Sequence, residues 1–242
     1  MGTSGFYTYS INRDTLINSV FRTLGVFNND APAPPTDIQN ASEALNLMLK
    51  AWMADGRPLW CMADITIPLI LGQGGPGQPY VLGAGGIFST YKPLRIQYAR
   101  LHYGATNNDV QLTELSRTEY NLLGSKTSSG VPNSFYWDPQ TTYGNLQVYV
   151  VPDAYNATNN TIILTVQRPI QDMTSALTDF DMPIECLNAV KWCLCDELAM
   201  EYDIPDTKTA VISAKAKRYF SALWDFSVEE ASTSFQPDMT RR

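Results

Sequence analysis

The hydrophobic period of this chain changes twice along its length, and that change limits the folds open to it. Near both ends apolar residues recur every three to four positions, whereas between about Cys61 and Arg168 they alternate. The first pattern places an apolar stripe on one side of a helix, and the second places it on one face of a strand. A first helix is expected over residues 13–24, with Leu16, Ile17, Val20, Phe21 and Leu24 inward and Gly25 as its stop. The loop "FNNDAPAPP" forbids helix through its three prolines. A second helix is expected from Thr36, which caps it in a box with Gln39, while Asp37 suits the positive end. Ile38, Ala41, Leu45, Met48, Leu49 and Trp52 form its stripe, and Gly56 and Pro58 end it.

In the middle, Leu94, Ile96 and Tyr98 alternate with Arg95, Gln97 and Ala99. Leu146, Val148 and Val150 do the same, as do Ile162, Leu164 and Val166. Turn-forming clusters at 106–109, 128–133, 141–145 and 155–160 separate these runs. Spacing this short predicts antiparallel pairing. A short helix fits residues 116–123. The helical period then returns. Pro183 suits a first helical position, and Cys186, Leu187, Ala189, Val190, Cys193, Leu194 and Leu198 cover more than one side, as in a helix packed between others. A last helix starts near Asp206, with Ile212, Ala216, Tyr219, Leu223 and Phe226 as its stripe.

These patterns predict an α+β fold. It would have an antiparallel four-helix core of two N-terminal and two C-terminal helices, an inserted antiparallel β-rich lobe, and an extended C-terminal tail. The segments are a helix pair at 1–60, the lobe at 61–180, a helix pair at 181–228 and the tail at 229–242. The tail has no periodicity and one large apolar residue, Phe235, too little to fold on its own.

One motif invites a different reading. Gly72, Gly74 and Gly77 fall on the spacing G-x-G-x-x-G directly after the apolar run Ile65–Leu71. A dinucleotide site needs a helix to start there, so that its N–H groups face the pyrophosphate, and an acid about 20 positions later for the ribose. Pro76 and Pro79 interrupt the segment, and residues 65–108 contain no Asp or Glu. The glycines are therefore expected to form a hairpin loop between strands 65–71 and 80–82, with "GAGG" as a second turn.

Charge and composition narrow the function. A net charge of −7 over 242 residues argues against a general nucleic-acid binder, which needs a basic face. It is compatible with a protein past which DNA slides. No segment is long and apolar enough to span a bilayer, and "MGTSGFYTYS" has neither the basic nor the apolar region of a secretory signal, so synthesis in a reducing cytoplasm is expected. Cys61, Cys186, Cys193 and Cys195 then read as buried free thiols, and C-x₆-C-x-C is not a metal spacing.

His102 is the single histidine, beside Tyr103 near a strand end, and reads as a rim residue. Glu197 and Glu201, one helical turn apart, and Asp179 and Asp181, flanking Phe180, are the carboxylate pairs a glycosidase-type site would use. They read more simply as solvated helix residues and as caps. Lys208, Lys215, Lys217 and Arg218 offer cations on the last helix, for a partner subunit or for phosphate. No catalytic, cofactor or metal constellation stands out. The 13 Tyr, 5 Trp and 9 Phe favour protein interfaces instead.

Several stretches resemble the head-to-tail adaptor proteins of short-tailed bacteriophages, the tail accessory or packaged-DNA stabilisation group. The helix "ALNLMLKAWMADG" carries Leu45, Asn46, Met48, Trp52 and Gly56 in that family's order. An apolar strand, Tyr80 and Gly83, and the step Pro93…Ile96 follow, with Lys92 where the family has Arg. Glu119-Tyr120, Pro132, Phe135-Tyr136, Pro152, Arg168-Pro169 and "ELAMEY" at 197–202 continue it, from about Thr15 to Leu223. The start of the chain to Asn12, the proline-rich loop and the long tail depart from the family pattern.

The resemblance implies a structural virion protein at the head–tail interface, made in the host cytoplasm. Copies would form a dodecameric ring under the portal protein. The ring would extend the DNA channel, help retain packaged DNA and offer a platform to tail nozzle or tail fibre proteins. Double-stranded DNA would pass without sequence-specific binding. No cofactor and no membrane are implied. The tail would anchor to the portal through Phe235, Pro237, Arg241 and Arg242. The alternatives are another virion component, in capsid or tail, and a carboxylate-dependent cell-wall hydrolase.

Overall fold

The computed structural model describes residues 5, 9–27, 33–55, 59–88 and 90–226. Six α-helices occur among them: α1 (Arg13–Leu24), α2 (Pro35–Asp55), α3 (Arg117–Leu122), α4 (Ala154–Asn159), α5 (Leu187–Glu201) and α6 (Asp206–Phe226). The chain divides into two compact units, Met1–Trp60 with Asp172–Arg242, and Cys61–Gln171.

In the helical unit α5 is central, with α6, α1 and α2 all packed on it. Its buried residues, among them Ala189, Val190, Leu194, Cys195 and Leu198, surround much of its circumference, which is why several helices can share it. Asn12 caps α1 by accepting from the Thr15 N–H at 2.9 Å, and Gly25 closes it at φ 72°. Lys208 Nζ donates to the Leu24 carbonyl at 2.6 Å, satisfying one of the oxygens that the end of α1 leaves open.

The start of α2 differs from the expected capping box. Pro35 takes the first helical position, and the Pro34 carbonyl accepts from Asp37 and Ile38, so Thr36 lies inside the first turn. Asp37 accepts a hydrogen bond from the Tyr202 hydroxyl at 2.9 Å. In α6, Ile212, Ala216 and Leu223 are buried, but Phe226 is exposed and drops out of the expected stripe.

Among the described residues the second unit holds ten strands: β1 (Met62–Pro68), β2 (Tyr80–Gly83), β3 (Arg95–Tyr103), β4 (Asn108–Gln111), β5 (Thr113–Glu114), β6 (Ser129–Gly130), β7 (Ser134–Pro139), β8 (Tyr143–Tyr149), β9 (Val151–Pro152) and β10 (Asn160–Gln167). They form sheets ordered β1-β10-β3-β4 and β2-β8-β7-β5, and the pair β6-β9. The two larger sheets share one core, with Ile67, Leu101 and Leu164 from the first and Tyr80, Phe135 and Leu146 from the second.

Several expectations need correction. The chain is not an antiparallel four-helix core with an inserted antiparallel lobe; it is a mixed fold of six helices and three sheets among the described residues. The pairs β5–β7 and β6–β9 are parallel, because segments of only two residues are fixed by neighbouring turns rather than by a hairpin. Two of the six helices, α3 and α4, lie within the β unit. Ser116 starts α3 with a capping box to Glu119. The expected turn at 155–160 is largely α4, because the Asp153 carboxylate accepts from the Asn156 N–H at 2.8 Å and nucleates a helix.

The glycine segment is not a hairpin either. β1 pairs with β10 and β2 with β8, so the loop carries the chain from one sheet to the other. In β3 the pairing jumps from Thr165↔Tyr98 to Val166↔Ile96, which leaves Gln97 as an extra residue. One extra residue reverses the alternation. Ile96, Ala99 and Leu101 therefore point inward, and Tyr98, expected inside, is 61% exposed.

Candidate functional site

A concave surface of the helical unit lies between α2 and α5. On α2, Glu43, Leu47 and Ala51 follow each other at four-residue steps and so form one line along the helix. On α5, Glu197 and Glu201 are likewise one turn apart. Together with Asn40, Ala44 and Met48 these residues line a groove of about 580 Å³. Met48 is buried, whereas Leu47 is 65% exposed, large for an aliphatic residue in a helix that otherwise has a well-filled stripe. Glu43, Glu197 and Glu201 are exposed and form no ion pair among the described residues. The groove thus offers an apolar strip flanked by carboxylates.

The basic residues of α6 have separate positions. Lys208 is spent on the end of α1. Lys215 Nζ sits 4.2 Å from the Trp192 ring centroid, and Lys191 Nζ lies 5.9 Å from the same ring. Indole faces attract cations, so this stacking holds the Lys215 ammonium over α5. Val211, Lys215 and Arg218, at i, i+4 and i+7, share one exposed line of α6, and Lys217 points elsewhere.

His102 lies in a different setting. Its Nδ1 is 2.7 Å from Asp109 Oδ1, and Arg100 Nε donates to the other oxygen of Asp109 at 3.1 Å. Arg100 also reaches Asp64 Oδ2 at 2.8 Å, and the Thr165 hydroxyl donates to Asp64 Oδ1 at 2.6 Å. The Thr165 hydrogen bond and the Arg100 guanidinium hold the Asp64 carboxyl below the usual carboxylate range. These groups come from β1, β10, β3 and β4, so the network runs across a whole sheet. Among the described residues the hydrogen-bond partner of His102 is Asp109.

The thiols are free. Burial pushes Cys193 and Cys195 up to about 12 and Cys186 to about 11, so they stay protonated at neutral pH and are poor nucleophiles. No group of three His, Cys, Asp or Glu side chains among the described residues is placed to hold a metal ion. Asp179 pairs through its backbone with Asn12, and Pro183, not an aspartate, occupies the cap of the 3₁₀ turn that leads into α5. Gly72, Gly74 and Gly77 all have positive φ, and the element after them is β2, not a helix. Phe235, Pro237, Arg241 and Arg242 lie outside the described residues.

Sequence reasoning singled out Glu197, Glu201, Lys215 and Arg218 but missed Glu43, Leu47, Val211 and Trp192. One signal was available for two of them: Leu47 and Val211 are large apolar residues off the buried stripe of their helices. The chain matches no protein-family model and no curated protein.

Proposed function

We propose that this chain is a structural adaptor of a tailed-phage particle, a ring subunit that sits under the portal, prolongs the DNA channel and carries the tail. The ordered series of residues from Thr15 to Leu223 that resembles the head-to-tail adaptors is the source of this reading. The observation that carries it is the surface of the helical unit, where an apolar strip flanked by carboxylates without ion-pair partners among the described residues and a second strip flanked by cations stand open to solvent. Exposed apolar strips with charged borders suit protein partners. A glycosidase-type acid needs a carboxyl sheltered from water, and Glu43, Glu197 and Glu201 are all exposed, which favours a binding role over hydrolysis. The partners in this reading are the portal protein, neighbouring copies and tail nozzle or fibre proteins.

The test is labelling of this chain in intact particles, viewed by electron microscopy. A ring of label between portal and tail is expected; label distributed over the capsid or along the tail overturns the assignment. Duplex DNA passing such a ring should be held weakly, no tighter than ~10⁻⁴ M at physiological salt, the weak end of non-specific binding.

A further inference from the structure

The two strips of the helical unit complement each other, and their positions prevent them from meeting within one molecule. Glu201 follows Trp192 by nine residues on α5, about 180° around a helix of 3.6 residues per turn. Trp192 carries Lys215 of α6, and Glu201 lines the α2 groove, so the two strips lie on opposite sides of α5. Each strip has an exposed aliphatic residue between charges of one sign. Leu47 lies among Glu43, Glu197 and Glu201; Val211, 56% exposed, lies beside Lys215 and Arg218.

We propose that the α2–α5 groove receives the Val211–Lys215–Arg218 line of α6 from a second copy of this chain. Charge complementarity argues for this occupant: the carboxylates have no ion-pair partner among the described residues, and the matching cations with a matching apolar residue are on the same chain. Because donor and acceptor surfaces differ, the contact is head-to-tail, and repeating it closes a ring or grows a filament. Leu47 and Val211 would supply the buried centre, and the charges would set register and orientation. The inference rests on the ring-subunit reading above and names the surfaces that neighbouring copies use.

The experiment is sedimentation velocity on the purified full chain over a wide concentration range. Self-association that rises with concentration is expected. It should weaken as salt goes from about 0.1 M to about 1 M, where the Debye length falls from ~10 Å to ~3 Å. Glu197→Lys with Glu201→Lys should weaken it at least about tenfold, since like charges facing each other cost several kcal/mol and each 1.4 kcal/mol is about tenfold. Lys215→Glu with Arg218→Glu should do the same. Mixing the two double variants should restore association, because each reversed surface then meets a complementary one. A misfolded variant would not be rescued in this way. A chain that stays monomeric at every concentration, double variants that associate like the original, or a mixture that is not rescued would each overturn the proposal. The particle labelling is independent: label under the portal without charge-dependent association leaves the adaptor reading and removes this contact, and the converse result does the reverse.

Discussion

The sheet β1-β10-β3-β4 of one unit and the α2–α5 groove of the other treat their surface charges differently. In the β unit, Asp64, Arg100, His102, Asp109 and Thr165 link to one another across the four strands of one sheet, and Arg117 pairs with Asp138. In the helical unit, Glu43, Glu197 and Glu201 are left without ion-pair partners among the described residues, close to an exposed leucine. Cross-strand charge pairs help to fix register, and charges along an exposed edge such as β4 discourage pairing with another sheet. Unpaired charges around an apolar strip contribute nothing comparable to folding. The sheet's charges help to define its own structure, whereas the three groove carboxylates take no part in ion pairs of the kind that Lys50 and Asp172 form elsewhere in the helical unit.

The largest effect should come from the cores, where the two units are alike. Leu164→Ala in β10 and Leu194→Ala in α5 each remove a fully buried side chain and should cost about 2–5 kcal/mol by denaturant unfolding. A much smaller loss at Leu194 would mean that α5 is not the packing centre of its unit.

Next come the glycines, which sharpen the reading of the β unit. A Cβ on Gly86 would lie 2.3 Å from the Val81 carbonyl oxygen, whereas one on Gly77 meets nothing within 4 Å. Gly86→Ala should therefore cost about 1–3 kcal/mol through a clash with fixed backbone. Gly77→Ala should cost only the strain of its φ of 79°, roughly 1–2 kcal/mol, with no loss of packing. Equal and large losses at both would mean that Gly77 approaches another surface.

Tyr202 tests the helical unit through pH. Burial, and then the hydrogen bond that the phenol donates to the Asp37 carboxylate, push the phenol up to about 12. In the unfolded chain the phenol titrates near 10. The stabilisation it brings is complete below about pH 10 and is lost as pH rises through about 12. Tyr202→Phe should cost about 0.5–1.5 kcal/mol at neutral pH and should flatten the alkaline limb of the stability profile. An unchanged alkaline limb would assign that pH dependence to other groups.

The smallest effect bears most directly on the comparison. Asp64→Asn should lower stability by about 0.2–1 kcal/mol, the range for solvent-exposed pairs. Because the carboxyl is held below its ordinary range in the fold, its contribution is present above about pH 4 and disappears as pH falls through the lowered value. Glu197→Gln should leave the unfolding midpoint unchanged. If Glu197→Gln destabilises the chain as much as Asp64→Asn does, the contrast between sheet and groove fails.

The overall architecture was not legible in the sequence, but elements whose cause is local were. Leu16, Ile17, Val20 and Phe21 can share a face only in a helix, and Ile162, Leu164 and Val166 only in a strand; α1 and β10 appear at those places. Gly25 marks a helix end because it adopts a positive φ without strain. The bulge at Gln97 was not legible, because a shift of register is defined by the partner strand. The fate of the glycine loop was hidden for the same reason: nothing near residues 71–80 says that β1 will pair with β10 and β2 with β8. Of the candidate site, Glu197 and Glu201 were visible as a helical pair, and Glu43 and Leu47 were not, since another helix brings them there.

Local sequence alone settles the helical period and Gly25 stop of α1, the alternation of β10, and the strand rather than helix that follows Gly72–Gly77. These follow from interactions within a few residues, which any conformation of the rest of the chain leaves intact. Which strands are neighbours, which pairs run parallel and why α5 sits at the centre of its unit follow from long-range packing alone. It alone joined Glu43 to Glu197 and Lys215 to Trp192, residues far apart in the chain. Burial of apolar area has no direction of its own, so a stripe on a helix or a face on a strand specifies that it must be covered and leaves open by what. The choice falls to the packing of the whole unit.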